Sequence, residues 1–224
     1  MKKIILAGIV ILAVAGCESI MPSVDRAKVQ ANQRWNETRA QMLTGVAEEH
    51  FNVGQLDSAE TKLTRALELS PTSTAARLLL AKVYIERGEH AAARRELHRV
   101  LDASARHPTA QFLLGVALEQ TGDLPAALEA YRQAYTLDKS DMSAVRAAAE
   151  VLVQMGRLRR AQAYIDSYLP RAENDPAAFE IAGRIAAMRG DDERAVEAFR
   201  RAVDLDGEHD GYRRALARAQ FRCR

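Results

Sequence analysis

Apolar residues recur at helical spacing through most of the chain, and the pattern is broken at regular intervals by a glycine. Leu79, Leu80, Val83 and Tyr84 lead up to Gly88, while Ala127, Tyr131, Ala134 and Tyr135 follow Gly122. Steps of three and four put such residues on one stripe of a helix. Gly54, Gly88, Gly122, Gly156 and Gly190 stand 34 residues apart without a gap. Five residues after each comes an alanine (Ala59, Ala93, Ala127, Ala161, Ala195), and seven before each stands Ala47, Ala81, Gly115, Ala149 or Gly183. A glycine just beyond a helical stretch ends it, because glycine accepts the left-handed conformation that other residues resist. The pattern predicts five units of helix, tight turn and helix, over 40–73, 74–107, 108–141, 142–175 and 176–209. Small residues on either side of the turn let the two helices approach closely. Pro71, Pro108 and Pro176 fall at or beside the joins, where a helix must end.

This pattern resembles the tetratricopeptide repeat. Gln55-Leu56-Asp57-Ser58-Ala59 and Gly122-Asp123-Leu124-Pro125-Ala126-Ala127 follow the family's turn and second-helix signature. Arg65-Ala66-Leu67-Glu68-Leu69-Ser70-Pro71 follows its repeat end. The resemblance implies an all-α, right-handed superhelical solenoid with terminal capping helices. Departures are visible. Leu43, Arg77, Gln111, Val145 and Phe179 stand where the family places a tryptophan, and Asp192 replaces the apolar residue that opens the second helix of unit five. Pro170 should cut the second helix of unit four short, so a looser contact between units four and five is expected.

The ends differ from the repeats. Residues 210–224 read as a capping helix, with Tyr212, Leu216, Ala219 and Cys223 on one side and Arg213, Arg214, Arg218 and Arg222 on the other. The arginine side reads as a solvated cap, or as a contact for anionic lipid or cell-wall polymer. Segment 17–39 reads as a short tether followed by an N-terminal capping helix. Its stripe Val24, Ala27, Ala31, Trp35, Met42 should run into the first repeat helix and pack on it, with Trp35 in the core of that contact and a ligand-stacking role as the alternative.

Residues 1–16 are unlike anything after them. Lys2 and Lys3 precede an uninterrupted apolar run over 4–15. A helix of that length spans about 18 Å, short of the ~30 Å hydrocarbon core, so the segment reads as a targeting signal. It ends in Val14-Ala15-Gly16-Cys17, which resembles the lipobox of bacterial lipoproteins. That resemblance implies cleavage before Cys17 and attachment of acyl chains such as palmitate. Several chains hold a protein stably on a membrane, at ~0.8 kcal/mol per buried methylene. An ordinary signal peptide with a chance cysteine is the alternative. Glu18, which is not the Asp retention signal of enterobacterial lipoproteins, implies an outer-membrane location facing the periplasm.

Composition then removes other classes. Apolar residues make up 48% of the chain, charged residues 28% and aromatics 5%, a balance that suits closely packed soluble helices. The chain carries 32 Lys and Arg against 30 Asp and Glu. Lys2 and Lys3 account for the excess, so the mature chain is formally neutral and a nucleic-acid partner loses its main support. With Cys17 lipidated, Cys223 has no disulfide partner. It should be a buried small apolar residue, with an exposed cross-linking thiol as the alternative. His50, His90, His98, His107 and His209 form no metal-binding spacing. No nucleophile elbow, phosphate loop or Cys-x-x-Cys occurs. Neither a metal nor a cofactor is expected, and the chain does not read as an enzyme.

Function is therefore expected on a surface. In tetratricopeptide proteins the first helices line a concave groove that takes a peptide or helix. Carried onto this chain, the groove positions are Thr44, Glu48 and Phe51 in unit one, and Leu78, Lys82 and Ile85 in unit two. Unit three supplies Phe112, Val116 and Glu119; units four and five supply Arg146, Glu150, Glu180 and Arg184. Leu78, Ile85, Phe112 and Val116 would make an apolar anchor site, unless some of them are interior. The family's carboxylate clamp is missing, since Thr44, Glu48, Leu79, Thr109 and Leu113 hold its positions. The expected role is a membrane-anchored protein-interaction scaffold or adaptor in the bacterial cell envelope, serving pilus, secretion or outer-membrane assembly. The alternative is a regulator that docks a peptidoglycan hydrolase or envelope protease. The oligomeric state stays open.

Overall fold

The computed structural model describes residues 23–223, so the signal segment, the lipobox and Cys17 lie outside the described residues. Eleven α-helices follow one another and no strand occurs among the described residues. They are α1 (Ser23–Asn52), α2 (Leu56–Leu69), α3 (Thr74–Glu86), α4 (His90–Ala103), α5 (Pro108–Gln120), α6 (Leu124–Leu137), α7 (Ser143–Gln154), α8 (Leu158–Tyr168), α9 (Pro176–Met188), α10 (Asp192–Leu205) and α11 (Asp210–Arg222).

The turns form for the reason the spacing implied. All five repeat glycines have φ between 71° and 82°, and no other described residue has a positive φ. The residue after each glycine reaches back to a carbonyl five positions earlier, as in Gln55 N to His50 O at 2.8 Å and Glu89 N to Tyr84 O at 2.8 Å. This is the Schellman closure, which satisfies carbonyls that the ending helix leaves open. Helix starts are also specified locally. Ser73, Asp123, Asp175 and Asp191 accept from backbone N–H groups of the helices they precede. Pro108 and Pro176 open α5 and α9, where a missing N–H costs nothing.

Within a unit, the residue seven before the turn meets the residue sixteen further on. Ala47, Ala81 and Ala149 stand at the first position where the second is Leu63, Leu97 or Ile165. Gly115 and Gly183 stand there where the second is Tyr131 or Phe199. A Cβ on Gly115 would lie 2.6 Å from ring carbons of Tyr131, and one on Gly183 would lie 2.8 Å from Phe199. The aromatic ring occupies the volume that alanine's methyl fills in the other units.

Between units, first helices lie side by side, α3 against both α1 and α5, and α9 against α7. No comparable contact joins one second helix to the next. The stack therefore curves toward its first helices, which line the concave face. Side-chain pairs fasten neighbours. Arg87 of unit two bonds Asp57 and Glu60 of unit one, and Tyr84 donates to Glu60 at 3.1 Å.

Four expectations are corrected or refined. Pro170 does end α8 early, with a 3-10 turn at Leu169–Arg171. The join is nevertheless filled: buried Ala172 packs with Ile165, Ile181 and Tyr168 in a cluster that crosses units three to five, and Arg146 pairs with Asp175 across it. The 3-10 turn lets the chain fold back without opening a gap. Segment 23–39 does run into the first repeat helix, but as one continuous α1 that projects beyond α2 rather than packing on itself. Trp35 is accordingly 63% exposed and is not core. Cys223 caps α11 and is exposed, because α11 fully buries only Ala219.

Gly115→Ala should lower the unfolding free energy by about 1–3 kcal/mol, the usual range for overpacking a tight core. Adding Tyr131→Leu should recover part of the loss, since it recreates the Ala81–Leu97 pairing. Chemical denaturation of both variants checks this, and an undiminished Gly115→Ala would refute the size constraint.

Candidate functional site: the concave groove

The concave face divides into an apolar stretch and a paired polar stretch. In units two and three, Leu78, Phe112 and Val116 are half-buried and Lys82 is exposed beside them. Phe112 leans on Tyr131 with ring centroids 5.4 Å apart and planes tilted by 53°. Tyr131 is the residue that Gly115 makes room for, so the internal size match also supports the groove surface. Ile85 does not join this surface. It is only 7% exposed and packs with Ala93, Leu97 and Val100, so it belongs to the interior. Phe51 is half-buried against the Ala47–Leu63 core of unit one. Thr44 donates to the Ala40 carbonyl at 2.8 Å, and Glu48 stays exposed.

The polar positions are brought together with each other. Glu119 accepts from the Tyr131 hydroxyl at 2.8 Å and from the Gln154 amide of the next unit. Glu150 pairs with Arg184, 34 residues on, at 3.2 Å, and Arg184 also reaches Glu180 at 3.5 Å. Arg146 pairs with Asp175. Glu119, Glu150 and Arg184 thus act first as fasteners between units, and Arg146 ties α7 to the join ahead of α9. Burial, helped by the hydrogen bond to Glu119, pushes the Tyr131 phenol well above its usual range. Burial also holds the Glu180 carboxyl above its ordinary value, with Arg184 pulling part of the way back.

Two features escaped sequence reasoning. Arg77, where the family has tryptophan, pairs with Glu96 at 2.8 Å, and Arg99 pairs with the same carboxylate. The ion pair fills the place of an indole, and only the spatial meeting of α3 with α4 reveals it. At the far end of the groove a cavity of about 750 Å³ is lined by Met188, Phe199, Ala215 and Phe221 with Arg184, Arg218 and Arg222. Phe221 is 81% exposed. Its signal was present in sequence as one aromatic residue among the arginines of the supposed solvated side.

Among the described residues no group of three or more His, Cys, Asp or Glu is placed to hold a metal ion. No described helix is long and apolar enough to cross a membrane. Glu48 and Glu49 are exposed, and His50 pairs with Gln55 at 2.7 Å rather than with either acid.

Two family models described as tetratricopeptide repeat match the chain, one over residues 46–97 and 78–141 and the other over 118–185. The chain belongs to the tetratricopeptide-repeat family. Among curated relatives, a putative cellulose synthase operon protein C of Escherichia coli O157:H7 is 27% identical over 157 residues, covering 66% of this chain and 13% of that protein. Mouse tetratricopeptide repeat protein 21A is 33% identical over 86 residues, 37% of this chain and 6% of that protein. This tetratricopeptide protein thus spans a small part of both. Among solved structures, pilF of Pseudomonas aeruginosa superposes with a TM-score of 0.69 at 17% identity, covering 83% of this chain and 90% of that one. YrrB, described as having an unusual peptide-binding site, gives 0.60 at 21% identity, with coverage of 89% and 98%. These likenesses establish the solenoid fold.

A carboxyl raised by burial contributes stability below its unfolded pKa and loses that contribution as pH rises through the folded one. Glu180→Gln cannot ionise. Its melting temperature should therefore gain on that of the wild type as pH rises from about 4 through the folded-state titration of Glu180. Parallel melting curves at all pH values would contradict the burial cost.

Proposed function

We propose that this protein is a membrane-anchored adaptor of the bacterial cell envelope that holds an apolar peptide or helix of a partner on its concave face. The observation that carries the reading is the half-buried surface of Leu78, Phe112 and Val116, with Lys82 exposed at its edge. Half-buried apolar groups on a rigid concave support are suited to anchoring a partner's side chains, because their positions are already set before binding. The peptide-binding site named for YrrB, on a like fold, supports a protein partner. The lipobox ending at Cys17 supports the anchor and the envelope location, and Glu18 favours the outer membrane. Assembly of a pilus, a secretion apparatus or another outer-membrane machine is the role this arrangement suits. With Glu119, Arg146, Glu150 and Arg184 engaged inside the solenoid, the partner's anchor should be apolar, and charge should contribute mainly through Lys82.

A photo-crosslinker placed at Lys82 or Val116 in cells should recover the same envelope protein, and one at Arg95 on exposed α4 should not. Lys82→Glu should reduce that capture several-fold without lowering the melting temperature, since Lys82 is exposed. Equal crosslinking from both faces would sink the groove assignment. Cys17→Ser should abolish palmitate labelling; labelling that persists would remove the anchor from the reading.

A further inference from the structure

Among the described residues the outermost layer of the solenoid at its N-terminal end is α1, and its outer side is apolar. Ala40 and Ala47 face the core and are fully covered. On the opposite side, at 100° per residue, a stripe runs through Ala27, Ala31, Trp35, Met42 and Val46. Trp35 is 63% and Met42 68% exposed, and Val46 is exposed with them. Terminal layers of a repeat stack ordinarily present a polar outer face to water. This one presents an aromatic ring and a thioether along a helix whose residues 23–39 project past the first repeat for about 25 Å, at 1.5 Å per residue.

Charge is distributed unevenly around the projecting segment. Lys28 and Arg39 flank one edge of the stripe and Arg34 the other. Asp25 and Glu37 lie away from it, and Glu49 marks its inner limit. Val29, on the core-facing side, is the apolar residue of the segment that stands outside the stripe. An apolar stripe bordered by cations, with a tryptophan in it, is what an interfacial helix needs on an anionic bilayer. Lysine and arginine bury their stems along the acyl boundary and keep their charges at the headgroups. A second copy of the chain fits less well. Pairing two such stripes would bring two sets of the cations Lys28, Arg34 and Arg39 to the borders of one seam, and the two alanines would add little buried area.

The sequence also places the lipid close by. Five residues separate Cys17 from Ser23, so six steps of at most about 3.6 Å hold the start of α1 within roughly 22 Å of the anchor. We propose that the outer face of α1, from Ala27 to Val46, lies on the surface of an anionic bilayer, so that the solenoid stands on the membrane through its first helix. This rests on the reading of Cys17 as lipidated only for supplying the bilayer; the recognition itself belongs to α1.

The test uses the chain from Glu18 onward, which keeps every helix described above and carries no lipid, so that failure of the anchor and failure of this contact are told apart. Trp35 is the chain's single tryptophan, so its emission reports on the stripe alone. Titration with phosphatidylglycerol-containing vesicles should shift the emission to shorter wavelength, and neutral phosphatidylcholine vesicles should do so weakly. Lys28→Glu with Arg39→Glu should weaken vesicle co-sedimentation by roughly ten-fold or more, given about a factor of five per basic residue at an anionic surface. Met42→Asp, at a position exposed enough to leave the fold intact, should weaken it too. An emission unaltered by anionic vesicles would overturn the proposal. So would a blue shift that appears without lipid and rises with protein concentration, which would assign the face to a second copy.

Discussion

Everything in this solenoid depends on how closely the two helices of each unit can approach beside the turn. A residue seven before the glycine must leave room for the side chain sixteen positions later. Alanine leaves room for leucine or isoleucine, and glycine leaves room for a ring. Because the two residues are covalently fixed at a constant separation, the match can be made in each unit independently. The reward is the same each time, a buried side chain at full packing density, and the penalty for a misfit is the same as well. That is why the register holds without an insertion across five units, although the residues filling it differ. The glycine at the turn has a separate role. Its positive φ closes the Schellman bonds and sets the angle from which the close approach begins.

From that contact the groove follows. Tyr131 fits only because Gly115 lacks a methyl, and Tyr131 in turn carries Phe112 on its face and holds Glu119 through its hydroxyl. Glu119 takes the Gln154 amide of the next unit, and one repeat further on Glu150 takes Arg184. A buried packing choice in unit three is thereby transmitted to the concave surface and across the unit boundary. Charged groups that would otherwise meet a ligand are spent on register. Ion pairs at such partly exposed positions add little stability singly. Their use here is geometric, since each orients the first helix of one unit against the next and keeps the apolar stretch at a fixed curvature.

The parts legible in the sequence are those governed by separations of a few residues. Turns at Gly54 to Gly190, helix starts at Pro108 and Pro176, and the shortening at Pro170 are local events, and each stands where its residues put it. The groove positions were legible as positions but not as surfaces. Leu78, Phe112 and Val116 remain partly open, whereas Ile85 is closed over by Ala93, Leu97 and Val100 of α4, and no pattern within α3 says so. Arg77 and Glu96 are 19 residues apart and meet only because α3 and α4 fold together. Trp35 shows the converse. Its periodicity marks an apolar face correctly, but periodicity says only that a face will be covered, not by what. A helix long enough to pass beyond its neighbours leaves that face without a partner among the described residues.

The two ends of the stack resolve the same difficulty differently. A solenoid buries each unit between two neighbours, so its first and last layers each carry a face with no repeat to cover it. At the C-terminal end, α11 covers Phe199 and Ala195 of unit five with Ala219 and Leu216, and Arg222 pairs with Asp192 at 3.2 Å. Asp192, the residue that breaks the family's apolar pattern, is thus matched to the capping helix rather than left as a flaw. At the N-terminal end no helix among the described residues plays the part of α11. The first helix is instead lengthened and its outer stripe left apolar, with cations along both edges, Asp25 and Glu37 turned away and Glu49 at its inner end. A cap made only for solubility would place charge where Trp35 and Met42 stand. Retaining apolar groups there is physically consistent with a covering surface outside the chain, and the lipid proposed at Cys17, separated from Ser23 by five residues, would bring a bilayer within reach of it.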